Sequence, residues 1–304
     1  MESALTLFYQ IVKMFIMMSA GYILYKKEIV NDDTTSRLSN ILLMITTPCM
    51  IVGSFNQTFS TEKLTALLLS FGLSCLIYFM NILLAKIMYP KHKETEKFTL
   101  VFSNAGFLGI PLVTGLLGVE AVFYLAPYIS LFYVFAWTYG VVLMSGDKST
   151  VTPKKILYNP CIWGMIIGFV IFLLPVKPFT PVMEAVSTLG SMTTPLAMII
   201  LGAYMAKTNL LSMFMNLKAY QACIYRLILS PVIVILIFKF VPASFHDVRT
   251  VLLISSSAPV AVLAPIFAQM FNKDTNYGSQ IICLSTILCL VTMPAMLIVS
   301  QLIW

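Results

Sequence analysis

Hydropathy divides the chain into ten apolar runs, at 5–25, 38–55, 64–88, 98–118, 121–143, 157–175, 181–205, 218–240, 249–271 and 279–303. A helix that crosses a bilayer needs about 20 residues, so each run is read as one span. The polar breaks are short, which makes successive helices antiparallel neighbours and leaves no stretch long enough for a soluble domain. The pattern predicts an all-α integral membrane protein with ten transmembrane helices.

Two of the runs are poor continuous helices. In Phe98–Gly118, the residues Asn104, Gly106, Gly109 and Pro111 fall within eight positions. Proline lacks the N–H that would bond the preceding turn and clashes with it, and glycine relaxes the chain further. Arg249–Asp274 repeats the pattern with Ser255, Ser256, Ser257, Pro259 and Pro265. In hydrocarbon, a freed backbone group costs several kcal/mol unless protein or a water-lined cavity satisfies it. Two interrupted spans at corresponding places in two halves point to a transporter binding site. Proline suits the first position of a helix, so Pro111 and Pro265 are each expected to start a second half-helix. The exposed N–H groups and positive dipole ends of these half-helices would converge on an anion at mid-membrane. The candidate lining is Ser103, Asn104, Gly106 and Gly109 from one break and Ser256, Ser257 and Pro259 from the other, with Asn104 and Ser257 as ligands of a small carboxylate.

Charge sets the expected topology. Of 19 Lys and Arg residues, thirteen fall on one set of alternate loops, among them Lys26, Lys27, Lys91, Lys93, Lys218 and Lys273; the other set has Lys63, Lys177, Lys239 and Arg249. The positive-inside rule puts the first set in the cytoplasm and both termini outside, in a plasma (inner) membrane. The halves also match. Thr46-Thr47-Pro48 recurs as Thr193-Thr194-Pro195, and Gly21 as Gly168, at an offset of 147. Ser103 and Ser257, Pro111 and Pro265, and Glu120 and Asp274 share an offset of 154. Five spans followed by five invert the second copy, giving an inverted repeat of 1–145 and 156–304.

Composition agrees and adds limits. Mean hydropathy is +0.92 and 10% of residues are charged, which excludes an ordinary soluble domain. The net charge of +7 lies mostly in loops and needs no nucleic acid to explain it. The six cysteines all fall within spans, as small core residues do, and no Cys/His grouping suggests a metal. The first apolar run carries Lys13 and lacks a small-residue cleavage site, so it is read as a span rather than a signal peptide. No nucleotide-binding, zinc-protease or serine-hydrolase motif is present, so neither catalysis nor a cofactor is expected. Arg226 sits about eight residues into span eight, roughly 12 Å deep; it either adds charge to the site or clamps backbone carbonyls. Lys13 is either functional or snorkels. The Thr-Thr-Pro strings are read chiefly as helix bends, and Gly164–Gly168 as a close-packing stripe, inside the chain or at a dimer seam. No Asp or Glu falls at mid-membrane, which fits a site that is net positive until an anion arrives.

Asn104-Ala-Gly-Phe-Leu-Gly-Ile-Pro111-Leu112 resembles the fourth-helix motif of the auxin efflux carrier family, which includes plant auxin exporters and bacterial malate-permease-like carriers. Ala258-Pro259, followed by Ala268-Gln269-Met270-Phe271-Asn272, is similar to the family's ninth-helix crossover, and the likeness covers the whole chain. The resemblance implies two inverted five-helix repeats with broken, crossing helices 4 and 9, as in bile acid symporters and sodium/proton antiporters. It implies a scaffold of helices 1, 2, 6 and 7, a homodimer, and a moving transport domain of helices 3–5 and 8–10. It further implies organic anions as substrates and an elevator-like motion. Asn104, Pro111 and Pro259 match motif positions, whereas Leu263-Ala264 stands where many bacterial relatives have Asn-Thr. The expected function is secondary transport of a small mono- or dicarboxylate, with proton or sodium coupling open. The alternatives are a sodium-coupled symporter on this fold and a non-transporting sensor.

Overall fold

Hydrocarbon offers no hydrogen bonds, so a chain this apolar must satisfy its backbone internally. It does so with helices throughout. The computed structural model describes residues 2–90, 92–174 and 179–304; Lys91 and Lys177, counted above, lie outside them. The helices of eight residues or more are α1 (Glu2–Lys26), α2 (Asp32–Ser54), α3 (Thr61–Met88), α4 (Glu94–Val101), α5 (Ala105–Leu117), α6 (Val119–Ser145), α7 (Pro160–Leu173), α8 (Thr180–Lys207), α9 (Leu217–Phe238), α10 (His246–Ser257), α11 (Leu263–Met270) and α12 (Thr275–Ile303). Polar loop residues start several of them. Asn31, Ser60, Asn159, Asn216 and Asp274 each accept a first-turn N–H at α2, α3, α7, α9 and α12. Gly118, at φ +86°, turns the chain from α5 straight into α6, a conformation that glycine adopts without strain.

The fold is all-α and membrane-spanning. Among the described residues seven helices are long and apolar enough to cross a bilayer: α1, α2, α3, α6, α8, α9 and α12. The other three expected spans are shorter pieces. The fourth is α4 plus α5, the ninth is α10 plus α11, and the sixth, α7, has 14 residues, about 21 Å at 1.5 Å per residue.

Three prolines follow widened helical turns, whereas Pro127 and Pro294 sit inside helices without one before them. π-helical turns at Leu42–Thr46, Ala105–Gly109 and Tyr225–Leu229 each precede a proline, Pro48, Pro111 and Pro231 respectively. A π turn shifts the hydrogen-bond register, so the missing proline N–H interrupts the ladder at a place already distorted. Thr46 bonds back to the Leu42 carbonyl at 3.3 Å, as expected of a helix bend.

Two kinds of contact join the helices. Backbones touch where glycine permits: a Cβ on Gly21 would overlap the backbone of Ile199, and one on Gly202 the carbonyl of Met18, which fixes α1 against α8. Gly164 and Gly168 face Pro48 and Phe55, so the Gly164–Gly168 stripe packs α7 on α2 inside the chain. Elsewhere polar side chains bridge. Ser70 and Tyr78 of α3 donate to the Tyr124 and Tyr128 carbonyls of α6, at 2.6 and 3.2 Å. Ser230 of α9 donates to Asn81 of α3 at 2.7 Å. Loops of the basic set meet around an open cavity of about 690 Å³ lined by Lys93, Lys218 and Lys273, while Lys63 lines a separate pocket with Phe245 and Asp247.

Replacing Gly202 with Val forces a side chain into the α1 backbone. Overpacking of this kind lowers stability by about 1–3 kcal/mol. Gly72 of α3 has nothing within 4 Å of an added Cβ, so Gly72→Ala leaves stability unchanged or raises it. Thermal unfolding of the two purified variants in detergent compares them.

Candidate functional site

The two breaks answer each other. Beyond α4, Phe102 takes an extended conformation, and beyond α10 Ala258 does the same, at φ −61° and ψ 148°. The two extended segments run antiparallel and pair through an isolated bridge between Ser103 and Val260. The Asn104 N–H donates to the Pro259 carbonyl at 2.7 Å, and the Ala261 N–H donates to the Phe102 carbonyl at 3.1 Å. The Val260 N–H points the other way and donates to Ser285 Oγ of α12 at 3.1 Å. Ser103 Oγ shares a hydrogen bond with the Tyr128 hydroxyl at 3.0 Å. Pro259 has no N–H to lose. The groups released by one break are thus taken up largely by the other.

Arg226 closes the remainder. It is fully buried, on the π turn of α9. Nε donates to the Ala258 carbonyl at 3.2 Å, Nη1 to Leu100 at 3.0 Å, and Nη2 to Ser256 at 2.7 Å. These oxygens belong to the C-terminal ends of α4 and α10, whose last carbonyls have no intrahelical partner. A cation there also meets the negative ends of two helix dipoles. Of the two roles expected for Arg226, this geometry is that of the clamp. Arg226 is not among the residues that line the cavity described next.

That cavity lies beside the crossing. Ser103, Asn104, Ala105 and Gly106 form one side, Ala261, Val262 and Leu263 a second, and Ile129, Phe132 and Tyr133 of α6 a third. Its volume of about 20 Å³ holds about one water, which needs about 10–15 Å³. Asn104 is 3% exposed, and its Nδ2 has no partner. The first N–H groups of α5, at Ala105 and Gly106, have no intrahelical acceptor. A Cβ on Gly106 would meet nothing within 4 Å.

The prolines lie at helix starts, one of them extended upstream. Pro111 is the second residue of the α-helical stretch Ile110–Leu117, but that stretch continues a π turn, Ala105–Gly109. α5 begins at Ala105, one π turn earlier, because Asn104 at φ −81° and ψ 48° already leaves the extended segment. Pro265 is the third residue of α11, within the first turn, where an N–H is unused. Gly109 and Pro111 lie further along α5, outside the cavity lining. Ser256 Oγ donates back to Leu253 at 3.0 Å. Ser257 is buried with its hydroxyl unpartnered, and it is not among the lining residues. The structure therefore brings Ser103, Asn104 and Gly106 to one pocket, with Pro259 in the joint behind them. Tyr128, Tyr133 and Ser285 were not singled out by sequence. The available signal is that Tyr124, Tyr128 and Tyr133 place three hydroxyls on the most buried of the seven long helices. Among the described residues no group of three or more His, Cys, Asp or Glu side chains is arranged to hold a metal.

Half-helices that meet at membrane depth beside a buried polar pocket belong to the architecture of membrane transporters. The sequence gives the family: residues 6–297 match the model described as "Membrane transport protein", and the chain belongs to that family, the auxin efflux carrier family. It is similar to an uncharacterized transporter of Methanothermobacter thermautotrophicus, 25% identical over 305 residues that cover 93% of this chain and 95% of the relative. An uncharacterized transporter of Methanocaldococcus jannaschii is 24% identical over 285 residues, covering 89% and 91%.

Ser285→Ala leaves the buried Val260 N–H without an acceptor. The expected cost is about 1–3 kcal/mol, read as a lower unfolding temperature and faster hydrogen exchange at the Val260 amide.

Proposed function

We propose that this transporter is a secondary carrier of small organic anions, with mono- and dicarboxylates as the substrate class. The observation that carries the reading is the Asn104 amide. It is a buried donor with no partner, placed at the N-terminal end of α5. Leaving such a group unpaired is costly, and a carboxylate would accept from it and from the free N–H groups of the first turn together. The first turn of α11 reaches the same pocket through Leu263, adding a second positive helix end. The ligand set is Ser103, Asn104 and Gly106. At about 20 Å³ the pocket is too small for a carboxylate in this conformation, so loading requires α5 to separate from α6 or α11.

An elevator-type motion of two inverted repeats, 1–145 and 156–304, fits the contacts. The glycine-sealed pairs, α1 with α8 and α2 with α7, make a stiff group. Helices α3–α6 and α9–α12 form the other, joined to it by side-chain contacts that include Gln10, whose Nε2 donates to the Pro111 carbonyl at 3.2 Å, Cys283 against Thr208, and Phe123 between Phe55 and Phe172. The first group would be the scaffold and homodimer element and the second the moving part. The excess of Lys and Arg on one set of loops supports a plasma-membrane orientation with both termini outside.

Counterflow into proteoliposomes tests the reading with labelled malate, lactate, succinate and indole-3-acetate. One acid is expected to exchange saturably. A hydrogen bond to a charged group contributes about 1.5–3 kcal/mol, so Asn104→Ala should lower that flux by roughly 10- to 100-fold. Unchanged flux in folded Asn104→Ala would remove Asn104 from the site.

A further inference from the structure

Ser103 lines the pocket and also ends a hydrogen-bond chain that starts outside it. The chain begins at Arg226. Besides its three main-chain acceptors, the guanidinium makes a side-chain hydrogen bond with Tyr128. The Tyr128 hydroxyl lies 3.0 Å from Ser103 Oγ. The Tyr78 ring packs on Tyr128 with centroids 4.9 Å apart, and the Tyr78 hydroxyl donates to the Tyr128 main-chain carbonyl at 3.2 Å. Arg226, Tyr78, Tyr128 and Ser103 are all buried, so bulk water does not compete for these bonds.

The chemistry of the groups gives the chain a direction. A guanidinium has N–H donors and no acceptor. Tyr128 must therefore accept from Arg226, which leaves its single proton for another neighbour. Ser103 Oγ is in reach and takes it. A serine oxygen that accepts on one side keeps its own proton free for the other, and for Ser103 the other side is the pocket. Asn104 Nδ2 stands next to it without a partner. The Ser103 hydroxyl, the Asn104 amide nitrogen and the first turn of α5 then present donors side by side. Each bond in such a chain polarises the next, which strengthens the last donor.

We propose that Tyr128 is a positioning residue for ligand selection: held by Arg226, it fixes Ser103 as a donor into the pocket, so that the site takes a carboxylate and turns away the carboxamide of the same shape. The inference rests on the organic-anion reading above and adds the residue that sets the preference. An ionised carboxylate only accepts, whereas a carboxamide also brings N–H donors. One of those donors would meet the Ser103 proton, and two donors face to face leave both unpaired in a buried site. A site built to one hydrogen-bond polarity discriminates strongly for this reason. Tyr128 does not line the pocket, so it acts through Ser103.

The test is counterflow of the labelled acid that exchanges, run on full-length protein with unlabelled acetate or acetamide as competitor. It reads the preference as a ratio of two inhibition constants. In the wild type acetate should compete more strongly than acetamide. In Tyr128→Phe the Ser103 hydroxyl is free to turn and accept, and the ratio should fall by roughly tenfold, the worth of one hydrogen bond to a charged group. Ser103→Ala should lower it about equally, and adding Tyr128→Phe to Ser103→Ala should lower it no further. Tyr78→Phe removes a hydroxyl whose proton goes to a carbonyl, so it should keep the wild-type ratio. A packing role for Tyr128 would change melting temperature and total flux without moving this ratio. Equal competition in the wild type, an unchanged ratio in folded Tyr128→Phe, a further loss in the double variant, or the same loss in Tyr78→Phe overturns the inference and leaves the organic-anion reading standing. If Tyr128→Phe cannot be purified, Ser103→Ala decides, and an unchanged ratio there overturns the inference. Absence of exchange for every acid overturns both.

Discussion

Three main-chain oxygens, from Leu100, Ser256 and Ala258, converge on the Arg226 guanidinium, and the middle of the molecule depends on that convergence. Two helices stop at membrane depth, and each stop exposes carbonyls that lipid cannot solvate. One rigid fork with five donors suits several acceptors in different directions better than a lysine ammonium would. To place it there, α9 widens into a π turn at Tyr225–Leu229, and Ser230 beyond that turn is tied to Asn81 on α3. α12 contributes Ser285 to the second crossing segment and α6 contributes Tyr128 to the first. Four surrounding helices thus each supply a group or an anchor to a junction that neither half could complete alone.

Much of this organisation was legible beforehand. Seven spans could be read directly, because 20-odd apolar residues without a break have few other uses. The two interruptions were equally plain, since Asn, Gly and Pro close together in hydrocarbon are costly. Their geometry was less so. Pro111 looked like a helix start, yet the chain turns helical at Ala105. Proline reports that an N–H is missing but not where the register shift that absorbs it will fall, and a π turn moved that shift upstream. Similarly, nothing local in the sequence marks Phe102–Asn104 and Ala258–Ala261 as partners. Their pairing uses main-chain atoms about 150 residues apart, and main chain carries no residue-type signal. Arg226 was recognisable as unusual from its depth; choosing between its two roles needed the positions of three carbonyls.

The helix contacts divide by chemistry. α1 against α8 and α7 against α2 are backbone-close, sealed by Gly21, Gly202, Gly164 and Gly168, and such surfaces resist sliding because each glycine sits over a particular opposing atom. The contact of α1 with α5 includes a single long side chain, Gln10, reaching the Pro111 carbonyl. A flexible amide can follow a moving acceptor or exchange it for another, whereas a glycine seat cannot. Stiff and compliant seams therefore follow one another along the same first helix.

The bridge between Ser103 and Val260 is built from peptide groups alone. A joint of that kind is indifferent to most of the side chains hung on it. Substitutions that keep these peptide groups in place leave the joint intact while altering the pocket beside it. Proline at Asn104 or Ala261 would delete a donor of the joint, and burial of both segments limits the size and charge of what replaces their side chains. The crossing thus separates the inheritance of architecture from the inheritance of specificity.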